Sequence, residues 1–315
     1  LAFVSRFCGV EDAGIFSLTF SISQMMYLIS CFEMTNVLVT DSQKTFLFLD
    51  TVCFRIITTA LMVVCASGFC VLQEFDGLKR QTFMLLILYM VLLTVTELCE
   101  CNLHRNGRLA LAGRSLAINI TVNAIVFATV LYLTRSMPAA IVGMCLATIV
   151  WLLIYDFPYI CAAEIHKEQG KVNTQAVKQL LIICAPLLCM RLVMSYIINA
   201  PKLAIDQYLV IQQQSSFGYM MMPAACVNLL SLFALRPQLV NLAKAYSDRD
   251  RKWFLKIVSR LMGWNVAIAI CVIIGGYLLG IPILSVFYGV DLSGYEMTLC
   301  IVLLGGCFYA FATLF

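Results

Sequence analysis

Charge is what this chain has least of: Asp, Glu, Lys and Arg make up 12% of its 315 residues, about half the share of a soluble domain. No soluble core could absorb the accompanying 62% of hydrophobic residues, so a water-soluble globule is excluded. Histidine is almost missing. His104 and His166 are the two present, too few to complete a zinc site around the closely spaced Cys99 and Cys101. There is no glycine-rich phosphate loop, no HExxH and no Ser, His and Asp set in a polar setting. The chain therefore carries no catalytic motif and reads as a non-enzyme without a cofactor. Its connections are too short to hold the nucleotide domain that an ATP-driven pump needs. A net charge of +4, spread over short connections, gives no sign of a nucleic-acid partner.

Cysteine is not scarce, with fifteen residues. Most of them, such as Cys31, Cys65, Cys145, Cys184, Cys226, Cys271 and Cys307, lie inside apolar stretches, where they read as small, soft packing residues and not as a disulfide framework.

Nine stretches are nearly free of charge, approximately 13–34, 50–72, 81–98, 115–134, 136–156, 178–200, 215–235, 257–280 and 296–315. Several reach the roughly 20 residues that a helix needs to cross the hydrocarbon core. The runs are continuous and not alternating, which excludes strands of an outer-membrane barrel. The expected fold is all-α and polytopic, with membrane lipid as its surroundings.

Cytoplasmic connections retain Lys and Arg. If crossings alternate, one side holds Lys44, Arg105, Arg108, Arg114, Lys167, Lys171, Lys178 and the cluster Arg236, Lys244, Arg249, Arg251, Lys252 and Lys256. The other side holds Arg6, Lys79, Arg80, Arg135 and Lys202. The richer side is assigned to the cytoplasm. Arg6 then lies outside, which calls for an earlier span, and the polar opening at Leu1 and apolar finish at Phe315 agree with further helices at both ends. The long polar connection 161–177 reads as a linker between an N-terminal lobe, 1–160, and a C-terminal lobe, 178–315. A shift of 201 residues lays Phe7, Phe16, Leu28, Ser30 and Phe32 over Tyr208, Phe217, Leu229, Ser231 and Phe233. That echo is weak; a repeat six crossings apart would be parallel, about an axis along the membrane normal.

Few charges interrupt the spans. Arg191 sits mid-span, about 15 Å from either interface at 1.5 Å per residue; it should face water, an anionic ligand, or a carboxylate such as Glu33 or Glu97. Arg55 and Arg260 lie nearer cytoplasmic ends, where long side chains snorkel, or would ring a shared cavity if the echo is real; Arg6 and Lys202 are placed similarly near the outer side. Glu33 closes the first span and Asp206 follows the sixth, so either could bind a coupling proton or sodium ion, or pair with a nearby cation. Asn119, Asn123, Asn228 and Asn265 suit bonds between helices. Pro186, Pro223 and Pro282 can break or bend helices at a binding site or hinge.

Particular segments look familiar. Arg6-Phe-Cys-Gly9 with Glu11, Ala13, Gly14, Ile15 and Phe16; Asn199-Ala-Pro201-Lys202-Leu-Ala-Ile205-Asp206-Gln-Tyr208-Leu209; Phe217-Gly218 through Met222-Pro223-Ala224 and Asn228; and Gly280-Ile-Pro282 through Tyr288-Gly289-Val-Asp291-Leu292 occur in an order that resembles the polysaccharide flippases of the multidrug, oligosaccharidyl-lipid and polysaccharide exporter superfamily. Val210 departs from the glycine usual there, and Arg191 matches no family motif. The resemblance implies twelve helices in two six-helix lobes, of which nine are visible, in a bacterial cytoplasmic membrane. It implies alternating access that moves a lipid-linked, undecaprenyl-pyrophosphate-like oligosaccharide. Arg191, Arg55, Arg260, Lys202 and Asn228 are then the substrate-binding candidates, and Glu33, Asp206 and Pro223 the coupling or gating ones. A cation-coupled drug exporter of the same superfamily and a membrane-embedded glycan polymerase or transferase are the alternatives.

Overall fold

The computed structural model describes residues 1–40, 46–75, 77–158, 173–235 and 250–312. Among these residues every regular element is helical: α1 Ala2–Phe7, α2 Val10–Cys31, α3 Met34–Thr40, α4 Phe48–Leu72, α5 Gly77–Arg105, α6 Leu109–Thr134 and α7 Met137–Trp151, which runs on as a π-helical turn, Leu152–Asp156. Then come α8 Thr174–Tyr208, α9 Ile211–Leu235, α10 Arg251–Gly275, a second π turn Gly276–Gly280, α11 Ile281–Tyr288 and α12 Glu296–Ala312. Seven of the helical segments are long and apolar enough to cross a membrane, which makes this a multi-pass membrane protein. α9 and α12 occupy two more expected spans; α12, at 17 residues, is shorter than the others.

The helices outrun the apolar stretches. α5 continues to Arg105, so Glu100 and His104 are helical and not part of a loop, because Leu98, Cys101 and Asn102 extend its buried face. α8 starts at Thr174, inside the expected linker, where the Asn173 side chain accepts from the Gln175 N–H and caps the first turn; residues 161–172 of that linker lie outside the described residues, as does the basic stretch 236–249. Pro186 and Pro223 sit within unbroken helices, contrary to the expected breaks: in a bundle, neighbours can cover the carbonyl that proline frees. Only Pro282 coincides with an irregularity. Lacking an N–H for the carbonyl four residues back, it follows the wider Gly276–Gly280 turn, the kind of local adjustment that relieves the ring's clash.

α2 is the central helix, packing against α4, α5, α8 and α9. Around it one hydrophobic core joins the two halves of the chain, with Val4, Phe16, Leu18 and Met26 packed together with Tyr219, Met220, Ile281, Tyr288 and Leu299. A second cluster sets α8 residues Val177, Leu180 and Cys184 against Phe32, Met34 and Phe54. Farther along α9, α10 and α12 the apolar contacts form small separate clusters, Val227 with Cys307 and Ala310, and Ile257 with Leu261. The halves thus share the core around Tyr219 and Tyr288, and α8 stays against the N-terminal half at the other end as well.

Close approach of α9 and α12 depends on Gly306, where an added Cβ would stand 2.9 Å from the Ala224 Cβ and 3.3 Å from its Cα. Gly306→Val is expected to push these helices apart and to lower the thermal midpoint of the purified protein by several degrees, through overpacking of about 1–3 kcal/mol. An unchanged midpoint would show that the contact yields freely.

Polar side chains tie helices together inside the bundle. Asn123 donates to Asn119 Oδ1 at 2.8 Å and accepts from Thr148 of α7 at 3.2 Å, and Ser231 donates to Asn265 Oδ1 at 2.5 Å. Such bonds are what asparagine offers where the alternative is hydrocarbon.

Candidate functional site

The outer end is closed by contacts between the halves. Ser215 of α9 donates to the Val10 carbonyl at 2.5 Å, and Ser5 donates to the Tyr288 carbonyl at 3.3 Å. Tyr219 and Tyr288 stack with ring centroids 4.2 Å apart. Arg6 donates to the Val286 carbonyl at 2.5 Å, and Gln212 donates to Glu11 at 3.5 Å. Gly218 lies so close to α2 that a Cβ there would be 2.5 Å from Ser17 Oγ. Lys79 pairs with both carboxylate oxygens of Asp206 at 2.7 and 2.8 Å. In the connection beyond, the Ser293 hydroxyl and N–H hold the Asp291 carboxyl below the usual carboxylate range. All these residues belong to the side that the basic residues assign to the outside.

Farther along α2, one position on the face that meets the C-terminal half is exposed. Val10, Ser17, Ser21 and Gln24 share a helical face. The first three meet Ser215, Gly218 and Lys202, whereas Gln24 is exposed. This face therefore opens at Gln24, while Met26 and Ser30 beyond it are buried again.

The named candidates occupy different settings along this path. Arg191, near the middle of α8, donates from Nε to Glu33 Oε1 at 2.7 Å, with 55% of its side chain exposed against 11% for Glu33. Glu33 was one of the two carboxylates expected as a partner. Its other oxygen accepts from Asn36 at 2.5 Å, and Phe32 and Glu33 both have positive φ, 49° and 53°. That uncommon conformation turns the chain from α2 into α3 and presents the carboxylate to α8. Lys202 donates to Ser21 at 2.5 Å and is half-buried. Asn228 and Pro223 are half-buried on α9, and Arg260 is exposed on α10.

Arg55 does not snorkel. It is 3% exposed, donates to the Ser30 carbonyl at 2.9 Å and forms an ion pair with Glu97 of α5. The reason is a carboxylate at matching depth on the neighbouring helix, so the guanidinium gains more inside the bundle than at the headgroups. Its place is structural, inside the N-terminal bundle. Asp206 is likewise helical and not beyond its span.

Two polar residues, Asp50 and Glu100, were not singled out from sequence. Asp50, 1% exposed, accepts from the Asn173 N–H at 2.7 Å and pins the start of α8 to the start of α4. Glu97, Glu100 and His104 line a cavity of about 190 Å³ with Thr35, Cys101, Leu109, Ala112, Gly113 and Leu116. Their spacing of three and four residues puts them on one helical face, a signal that was available. Among the described residues, no group of three or more His, Cys, Asp or Glu is arranged to hold a metal ion.

The chain matches no known family, no curated protein and no solved structure.

Proposed function

We propose that the chain is a flippase that moves a lipid-linked oligosaccharide, with an undecaprenyl-pyrophosphate-like carrier, across the bacterial cytoplasmic membrane by alternating access, making and breaking no covalent bond. The observation that carries this reading is Arg191: a guanidinium at mid-helix, half exposed although it is paired with Glu33. A charge left facing hydrocarbon costs at least about 2.5 kcal/mol, so that face is read as wet. A charged phosphate head has the same difficulty in hydrocarbon. A cationic, watered passage lowers its barrier while the polyprenyl tail stays in lipid. Lys202 extends the cationic path toward the outer end.

Two lobes related by a parallel pseudo-twofold, within twelve helices, belong to the same proposal. Ser17 meets Gly218 and Glu11 meets Gln212, and these are the partners that the 201-residue shift superposes. A residue touches its own equivalent only on a twofold axis, so an axis between α2 and α9 suits both contacts. Closure at the outer end would make this a state that loads from the cytoplasm.

Arg191→Ala in the full-length protein is expected to lower surface glycan severalfold and to leave lipid-linked precursor facing the cytoplasm. Glu33→Gln, which frees Arg191 without removing it, is expected to retain most of the export. Equal losses in the two variants would assign Arg191 a purely structural ion pair. Normal surface glycan in Arg191→Ala at wild-type protein levels would remove its role altogether. The acidic cavity beside Glu97 favours the drug exporter as the second reading; drug resistance conferred without any effect on glycan would select it.

A further inference from the structure

Two lysines at the outer end contend for one carboxylate. Asp206, in the last turns of α8, accepts from Lys79 with both oxygens, at 2.7 and 2.8 Å. The pair joins α5 of the N-terminal half to α8 of the other and is largely shielded, with 19% of the Lys79 side chain and 13% of the Asp206 side chain exposed. Lys79 is also anchored on its own side. Its ammonium stands 4.3 Å from the centroid of the Phe75 ring, within the range of a cation–π contact, and Phe75 is buried against Phe69 and Phe83.

Lys202 lies four residues before Asp206 in the same helix, and side chains at that spacing are neighbours on one face. Its ammonium nevertheless donates to a neutral hydroxyl, Ser21 Oγ of α2, at 2.5 Å. Lys202 is half-buried, and among the described residues its ammonium has no carboxylate partner. An ammonium in this setting is costly to leave without a counter-charge. Two groups can supply one. A bound anion is the first. Asp206 is the second, in reach along its own helix but committed to Lys79 while the outer end is closed.

We propose that Lys202 and Ser21 form a binding site for a phosphate-type anion, and that Asp206 empties this site by passing from Lys79 to Lys202 when the outer end opens. With the outer end closed, Lys79 occupies Asp206 and Lys202 holds the anion. Movement of α8 away from α5 breaks the pair, because Lys79 stays on Phe75 while Asp206 travels with α8. The freed carboxylate then competes with the anion for Lys202, one turn away, and the anion leaves on the open side. The linkage is reciprocal: an anion on Lys202 leaves Asp206 to Lys79 and so favours closure. That the anion is the head of an exported lipid rests on the flippase reading; the site and its exchange do not.

Purified full-length protein in phosphatidylcholine nanodiscs, held at constant ionic strength, provides the test. Inorganic pyrophosphate and undecaprenyl phosphate are the probes, one borne by water and the other by lipid. Ser17 is buried in the closure, so labelling of Ser17→Cys by a water-soluble maleimide, read by mass at that residue, follows the open fraction. Either probe is expected to slow labelling severalfold, and the one that acts identifies the source of the anion; with Lys202→Met added, neither should act. Lys79→Met releases Asp206 to Lys202 and is expected to weaken binding of the acting probe about tenfold, as a competitor holding the site nine-tenths of the time would. Lys79→Met with Asp206→Asn should restore the wild-type affinity. No slowing by either probe, slowing that survives Lys202→Met, or a double variant as weak as Lys79→Met alone would overturn the proposal. Should Lys79→Met fail to give monodisperse protein, Asp206→Asn alone decides: binding at least as tight as wild type supports the exchange, and weaker binding removes it. None of these measurements reads export, so failure here leaves the flippase reading intact, and normal glycan export in Arg191→Ala leaves this site intact.

Discussion

Joining positions 17 and 218 by a disulfide is expected to reduce surface glycan to background, with export restored by a membrane-permeant reductant. A Cβ built on Gly218 stands 3.2 Å from the Ser17 Cβ, within a few tenths of an ångström of the separation found in disulfides, so Ser17→Cys with Gly218→Cys should oxidise readily. The exposed Cys189, Cys226 and Cys271 would first be replaced by Ala to prevent competing pairs. The effect is large because it acts on the closure itself. If the outer end must part to release cargo, a covalent clamp between α2 and α9 stops every cycle. Each single substitution should retain most activity, which separates the clamp from damage to packing. Full export by cross-linked protein would show that these helices do not separate, and alternating access about this contact would be abandoned.

The second large effect concerns stability. Arg55→Met is expected to leave Glu97 as an uncompensated buried charge and to cost about 3–5 kcal/mol, enough to remove most folded protein from the membrane fraction. Arg55→Met combined with Glu97→Leu should recover much of the loss, since a buried pair is often replaceable by apolar residues of similar size. Yield and thermal midpoint of the two variants measure this directly. If the double variant were as poor as the single one, the bond from Arg55 to the Ser30 carbonyl, which both variants lose, would be the one that matters.

The sequence carries the spans because their signal is local: a run of apolar residues the thickness of a bilayer needs no knowledge of its neighbours. It does not carry the ends equally well, because polar residues such as Glu100 and His104 can extend a helix once a buried face continues beneath them. The Arg191–Glu33 pair was legible in part, as one of two carboxylates at a suitable place. The fate of Arg55 was not. Whether a long cation reaches for headgroups or turns inward depends on which face of α5 meets α4, and that contact joins residues 42 positions apart. Asp156 was hidden for another reason. A π turn adds a residue to the helical repeat and re-aims the side chains after it, so a wheel drawn with 3.6 residues per turn places Asp156 wrongly.

One consequence follows from the length of α8. At 35 residues it measures about 52 Å at 1.5 Å per residue, far more than the roughly 30 Å of hydrocarbon around it. A helix this long either leans or carries its polar ends beyond the hydrocarbon, and any lean depends on how thick the surrounding bilayer is. Arg191 at its middle and Lys202 near its end move with that angle. The acyl chains of the host membrane are therefore a setting that shifts the depth at which these positive charges stand.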